Sequence, residues 1–502
     1  MDFLHSLALG FQVCLQPANL FLAFTGCLIG TLVGVLPGLG PAAAISLLLP
    51  SSFHITPAGA LIMLAGIYYG AMYGGSTTSI LVNIPGEAAS VVTCLDGYEM
   101  ARQGRAGPAL GMAAFASFIA GTASVVGLML LAPPLADMAL KFGPPEYTTL
   151  MILGLTVLTF LVKGSMAKAL MMAAFGMFLS TVGLDAVSGV ARFSFNRVEL
   201  MDGIGMVPVV MGLFGISEVL LNLEKTFGRE ILREKIKDYL PTKEDWRKSH
   251  KPILRGSLLG FFLGILPGGG AILASFVSYA VEKRVSRYPE KFGTGVIEGV
   301  AGPEAANNSA TGGAFIPLLT LGIPSNVVMA ILLGAMMIHG LQPGPNLVHE
   351  HPDVFWGVII SMYIGNGMLL ILNLPLIGLW VQVLKVPYRL LFPLILLFCL
   401  IGAYSLSSAT FDILIMVIFG IIGYLMKKTN YEGAPLVLAL VLGNLFENAL
   451  RQSLILSDGS FLIFFNRPIA AIFLWIAIAL LLFPLLPWLK KRRPAVGVET
   501  QG

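Results

Sequence analysis

The chain has 502 residues, 56% of them hydrophobic and 12% charged, with a mean hydropathy of +0.84. Soluble domains carry about 25% charged residues. A soluble enzyme is therefore excluded, and no nucleic acid partner is expected. The composition is that of a multi-pass membrane protein whose core is set by the bilayer. The net charge of +4 is small, and its placement says more than its sum.

The N-terminal segment, residues 1–17, reads MDFLHSLALGFQVCLQP and has no Lys or Arg, so it lacks the basic start of a secretory signal. Next comes an apolar stretch, Ala18 to Pro50, interrupted by GVLPGLGP around Pro37, Gly38 and Gly40. Pro and Gly are poor residues for a helix interior, so a broken helix is expected there. A long span follows, containing GIYYGAMYGGSTTS with Ser76, Thr77 and Thr78. A second break follows at Asn83-Ile84-Pro85-Gly86, and further apolar spans run to residue 223.

Residues 224–255 form a charged linker with ten Lys and Arg residues. Beyond it the pattern repeats. Pro267 stands 230 positions after Pro37, and Gly260, Gly264, Gly268 and Gly270 echo Gly30, Gly34, Gly38 and Gly40. Ile323-Pro324 echoes Ile84-Pro85. The same features in the same order imply an internal duplication, with repeats at 18–223 and 256–466. An extra span is expected at 467–490 and a short cytoplasmic tail at 491–502.

Charge placement indicates how the repeats face the membrane. The loop SSFHITPAG of the first repeat has no Lys or Arg, and its counterpart VEKRVSRYPEKF has four. The loop YEMARQGRAG has two, and its counterpart GLQPGPNLVHEHPD has none. Equivalent loops carry opposite bias, so the repeats are expected to be inverted, with the linker and C-terminus in the cytoplasm. The fold class expected is an all-α integral membrane protein. It has two inverted-topology repeats, broken and re-entrant helices, and about eleven full spans plus four re-entrant segments.

Broken helices meeting at mid-membrane are a common way for a secondary transporter to build its site. Irregular backbone is tolerated there only where it lines a cavity. The candidate binding residues are Gly38, Gly40, Ser76, Thr77, Thr78, Asn83, Pro85, Gly86, Gly268, Gly269, Asn307, Asn308, Ser309, Pro324, Ser325 and Asn326, with Pro37 and Pro267 as breakers. The stretch Phe292 to Gly313 is too polar to face lipid and is expected to line the path. Its Glu304, and Glu87 at the second break, read equally well as ordinary boundary carboxylates. No catalytic residue, metal site or bound cofactor is expected, only Na⁺ or H⁺ as a coupling ion. Four scattered cysteines make no C-x-x-C pair. GLGPAA lacks the strand and acidic residue of a dinucleotide site. HEHPD does not have the spacing of a zinc helix and reads as a solvated turn.

Several long motifs carry a family resemblance. GTLVGVLPGLGPAAAISLLLP, YGGSTTSILVNIPGEAASVVTCLDGYEMARQGRAGPAL, GFFLGILPGGGA and EGVAGPEAANNSATGGAFIPLLTLGIPSNVVMAILLGAMMIHGLQPGP resemble the large membrane subunit of bacterial tripartite tricarboxylate transporters. The resemblance runs from about residue 10 to about residue 485. It implies an inner-membrane secondary transporter for citrate or other carboxylates, driven by an ion gradient. It also implies a small membrane subunit and a periplasmic solute-binding protein as partners. The residues by themselves reach only an inverted-repeat carrier. A stand-alone organic-anion carrier, and less readily a membrane-embedded enzyme, remain as alternatives.

Overall fold

The computed structural model describes residues 3–36, 40–161, 165–185, 188–224, 239–268, 270–384, 386, 388–407 and 409–482. The structure is helical almost throughout, and the sole β-pairing among the described residues is a two-residue ladder between Gly183–Leu184 and Ala191–Arg192. Seven described helices are long and apolar enough to cross a membrane, and several shorter apolar helices accompany them.

The N-terminal segment forms α1 (Phe3–Cys14), and the first repeat supplies α2 (Pro17–Val35), α3 (Pro41–Leu48), α4 (Pro57–Val82), α5 (Ala106–Ala139), α6 (Pro144–Leu161), α7 (Met166–Ser180) and α8 (Met206–Glu224). The second supplies α9 (Lys243–Ile265), α10 (Gly270–Val285), α11 (Glu298–Gly313), α12 (Phe315–Leu321), α13 (Val327–Ile338), α14 (Pro352–Asn373), α15 (Tyr388–Ser407), α16 (Thr410–Lys428) and α17 (Ala434–Leu456). The last helix, α18 (Pro468–Leu482), packs on α6. Helix α9 runs unbroken across residue 255, where the linker was expected to end. The last turns of the charged segment are thus the head of this helix, capped by Thr242, whose hydroxyl accepts from the Asp245 N–H. Residues 225–238 of the linker and the tail at 491–502 lie outside the described residues.

Packing follows the duplication. Helix α2 lies on α4, and α9 lies on α11. Each pair is held by a glycine ladder. A Cβ on Gly26, Gly30 or Gly34 would stand 2.3, 2.5 and 2.3 Å from the carbonyl oxygens of Met63, Ile67 and Ala71. A Cβ on Gly256, Gly260 or Gly264 would stand 2.3, 2.1 and 2.2 Å from those of Gly302, Ala306 and Ala310. Backbones this close admit no side chain. Both ladders climb in the same direction on both helices, so α2 runs parallel to α4 and α9 parallel to α11. The chain between parallel neighbours must turn back. It does so through α3 and α10, after the breaks at Leu36 and Leu266.

The halves then cross-pack. Helix α4 meets α14 of the second repeat, and α11 meets α5 of the first. Likewise α7 meets α17, and α16 meets α8. Two bodies result: α1–α5 with α9–α14, and α6–α8 with α15–α18. They touch mainly where α3 and α13 meet α8, α15 and α17. A buried carboxylate fastens the first body at one end. Asp96 Oδ1 accepts the N–H groups of Gly293, Gly295 and Val296 at 2.9, 2.8 and 2.9 Å, and Oδ2 accepts the Tyr279 hydroxyl at 2.9 Å.

Candidate functional site: the meeting of the broken helices

The second break of each repeat has the same local design. Helix α4 ends at Asn83 (φ 55°, ψ 30°), and α12 ends at Gly322 (φ 68°, ψ 24°). Both are left-handed caps, which only Gly and, less readily, Asn adopt at low cost. Ile-Pro follows in each, and Pro has no N–H with which to continue the helix. Four positions beyond the cap a side chain starts the next helix. Glu87 accepts the Ala89 N–H at 2.6 Å, and Asn326 accepts the Met329 N–H at 3.0 Å. These pairs stand 239 positions apart, the same separation that relates Ala71 to Ala310 in the ladders.

The first breaks reach the second ones. The Gly268 N–H donates to the Ser325 carbonyl at 2.7 Å. In the other repeat, a Cβ on Gly86 would lie 2.0 Å from the Gly34 carbonyl. Gly40 starts α3, and a Cβ there meets nothing within 4 Å. Pro37, Gly38 and Gly269 lie outside the described residues.

Between the breaks lies a buried polar layer. The stretch expected to line the path is helix α11, with every residue from Gly299 to Gly313 buried. Glu304 Oε2 accepts the Ser76 hydroxyl at 2.6 Å and the Ser117 hydroxyl at 3.5 Å, while Oε1 accepts the Thr93 hydroxyl. Asn308 donates to Ser117 Oγ at 2.7 Å. Tyr68 receives the Asn326 amide at 3.2 Å. Tyr73 donates to Asn366, whose amide donates to the Phe118 carbonyl and to Thr122, both at 2.9 Å.

Some groups there have no partner. Both amide atoms of Asn307, Asn308 Oδ1 and Glu87 Oε1 are buried and unbonded. Tyr68 and Asn307 are equivalent positions of the two repeats, as are Asn326 and Glu87. The Tyr68–Asn326 contact thus has a counterpart pair, Asn307 and Glu87, left with unused hydrogen-bonding capacity. Buried polar groups are nearly always satisfied, so these unbonded atoms set the position apart from the rest of the core.

Other candidates have local duties. Thr78 donates to the Val35 carbonyl at 2.7 Å, and Ser309 to the Ser257 carbonyl at 2.6 Å, each tying a ladder pair together. Thr77 is buried beside Ser76, Asn83 is exposed at its break, and Pro85 and Pro324 close the breaks. Thr93, Ser117 and Asn366 were not singled out from sequence, and Glu304, which read equally well as a boundary carboxylate, is fully buried. For Ser117 and Asn366 the available signal was a polar residue inside an otherwise apolar span.

A cavity of ≈830 Å³ lies elsewhere, between the two bodies, lined by Phe53, Ser180, Arg192, His339, Asp412 and Asn444 among others. Its Arg192 is committed to a four-charge cluster. Arg192 donates to Glu447 at 2.6 and 3.2 Å, and Arg451 to Asp185 at 3.0 and 2.8 Å. The hydrogen bonds to Glu447 hold the Arg192 guanidinium above its usual range. Burial pushes His339 below the usual histidine range, and its ring stands 3.2 Å from Ser52 Oγ.

Parallel ladders, paired broken helices and a buried polar layer between cross-packed halves define a multi-pass membrane transport protein. The chain belongs to the tripartite tricarboxylate transporter TctA family, whose model matches residues 20–438; within that system it corresponds to the large membrane subunit. It is 51% identical over 499 residues to an uncharacterized 52.8 kDa protein in the TAR-I ttuC' 3'region of Agrobacterium vitis, covering 99% of each chain. It is also 51% identical over 240 residues to a protein in the TAR-II ttuC' 3'region of the same organism, covering 48% of this chain and 99% of that one. No solved structure matches.

Proposed function

We propose that this chain is the carrier subunit of an ion-coupled carboxylate uptake system of citrate or tricarboxylate type. It sits in the bacterial inner membrane as two inverted repeats, with its charged linker and C-terminus in the cytoplasm. It works with a small membrane subunit and a periplasmic solute-binding protein. The family supports the substrate class and the partners. The coupling is supported by charge. Residues 1–101 and 292–384, which supply three of the four breaks, contain no Lys or Arg. They do contain the buried carboxylates Glu87 and Glu304. An anion entering this layer meets amides, hydroxyls and helix N-termini, yet also two like charges. Entry becomes favourable only if cations accompany it, which makes cotransport with Na⁺ or H⁺ the economical reading.

The unused groups of Asn307, Asn308 and Glu87 between the breaks are the observation that carries this assignment. The test is uptake of labelled di- and tricarboxylates into proteoliposomes holding this chain and its small partner. The binding protein is outside, with and without an inward Na⁺ or H⁺ gradient. Uptake requiring both binding protein and gradient is expected. Uptake without the binding protein would instead make this a stand-alone carrier. No carboxylate uptake by intact vesicles would remove the substrate class.

A further inference from the structure

Glu304 has no solvent exposure, and the three groups that donate to it are all neutral. They come from Ser76 on α4, Thr93 in the segment after the break, and Ser117 on α5. Glu304 itself is on α11 of the other repeat. Among the described residues no Lys, Arg or His forms an ion pair with it. A bare carboxylate at this depth costs several kcal/mol, so a positive charge must join it.

The surroundings indicate which kind. A cavity of ≈10 Å³ adjoins the cluster, lined by Tyr73, Ser76, Thr77, Ser117 and Asn373 among others. That is room for about one water-sized occupant. Asn373 is 5% exposed, and its amide nitrogen donates to the Leu369 carbonyl at 2.9 Å. Its Oδ1 has no partner. Asn308 repeats the arrangement: its nitrogen is bound to Ser117, and its Oδ1 is free. Ser76 and Ser117 donate their protons to Glu304, which leaves the Ser76 lone pairs, and the Ser117 lone pair not taken by Asn308, for another neighbour. The polar groups of the cavity's lining are therefore oxygen donors, hydroxyls and the Asn373 carbonyl, with the Glu304 carboxylate one hydrogen bond away behind Ser76 and Ser117. Oxygen donors suit hard cations. A single carboxylate balances a single charge, and no cluster of three or more His, Cys, Asp or Glu occurs among the described residues to hold a transition metal.

We propose that Glu304, Ser76, Ser117 and the Asn373 carbonyl oxygen form a binding site for one alkali cation of the size of Na⁺. The site draws on α4 and α5 of one repeat and α11 and α14 of the other. Occupancy therefore ties the two halves together next to the broken helices. This deepens the transport reading and rests on it for the coupling role, but the binding itself is testable without transport.

The experiment is thermal unfolding of the purified full chain in detergent, at constant ionic strength, with NaCl exchanged for KCl or choline chloride. A ligand that binds the folded state alone raises its midpoint saturably. The wild type is expected to gain several degrees in Na⁺, much less in K⁺ and none in choline. Glu304→Gln is expected to abolish the Na⁺ gain while unfolding cooperatively in choline at a midpoint no lower than wild type. Asn373→Ala is expected to raise the half-saturating Na⁺ concentration by about tenfold. If Glu304→Gln fails to fold, Ser76→Ala and Ser117→Ala carry the same comparison. A wild type indifferent to Na⁺ at every pH tested overturns the site and leaves the carboxylate to a proton. A full Na⁺ gain in Glu304→Gln overturns it as well. Failure of carboxylate uptake with the Na⁺ gain intact counts against the transport reading and not against this site.

Discussion

The Gly268 N–H donates to the Ser325 carbonyl at 2.7 Å, so the tip of one broken helix is hydrogen-bonded to the break of another. Gly268 holds φ at +77°, a conformation that side chains resist. Gly268→Ala is therefore expected to cost about 1–2 kcal/mol and to loosen the junction. Uptake should fall more than the amount of folded protein does, measured by size-exclusion yield beside proteoliposome transport. Equal losses in both would reduce the junction to a purely structural role.

Gly260 packs its backbone on α11 where a Cβ would stand 2.1 Å from the Ala306 carbonyl. Gly260→Val should cost about 3 kcal/mol or more through overpacking and sharply lower the unfolding temperature. Gly40→Ala, whose Cβ meets nothing within 4 Å, should leave it unchanged.

Asn307 is fully buried with both amide atoms unbonded. Removing an unsatisfied polar group costs little, so Asn307→Ala should change stability by no more than about 1 kcal/mol. Carboxylate uptake should nevertheless drop at least tenfold. Retention of wild-type uptake would remove Asn307 from the site.

Asp96 collects three backbone N–H groups and the Tyr279 hydroxyl. Asp96→Asn replaces an acceptor-only group with one that also donates, at a cost of about 3 kcal/mol. Tyr279→Phe removes one of the four donors and should cost about 1–2 kcal/mol. Chemical denaturation of the three proteins, read by tryptophan fluorescence, gives the order.

Inverted repeats would place Ser51 and Arg287 on opposite faces of the membrane. Both are exposed, whereas neighbouring Ser52 is buried against His339. Single cysteines at the two positions, with Cys94 replaced by Ala, should react with an impermeant thiol reagent from opposite sides of oriented vesicles. Reaction from the same side would exclude the inversion.

Much of the repeat was readable because Gly and Pro have local meanings. Gly26, Gly30 and Gly34 advertise a close helix contact by spacing alone, and Ile-Pro advertises a break. Asn83 and Gly322 look unrelated as letters, yet both supply the left-handed cap that the break needs. Glu304 was harder. Its hydroxyl partners lie 187 to 228 positions away, on segments whose own patterns show only ordinary polar residues. The linker boundary at 255 was drawn where the charge ends, and the helical backbone runs through it.

Composition alone pointed to a bilayer protein, and glycine and proline spacing alone marked its breaks and suggested a duplication, because those are one-dimensional properties of the chain. Which break meets which, and which hydroxyls surround which carboxylate, was decided by tertiary structure. The reason is physical. Buried hydrogen bonds and charges are satisfied by whatever packing brings near, and in cross-packed repeats the near neighbours belong to the other half of the sequence.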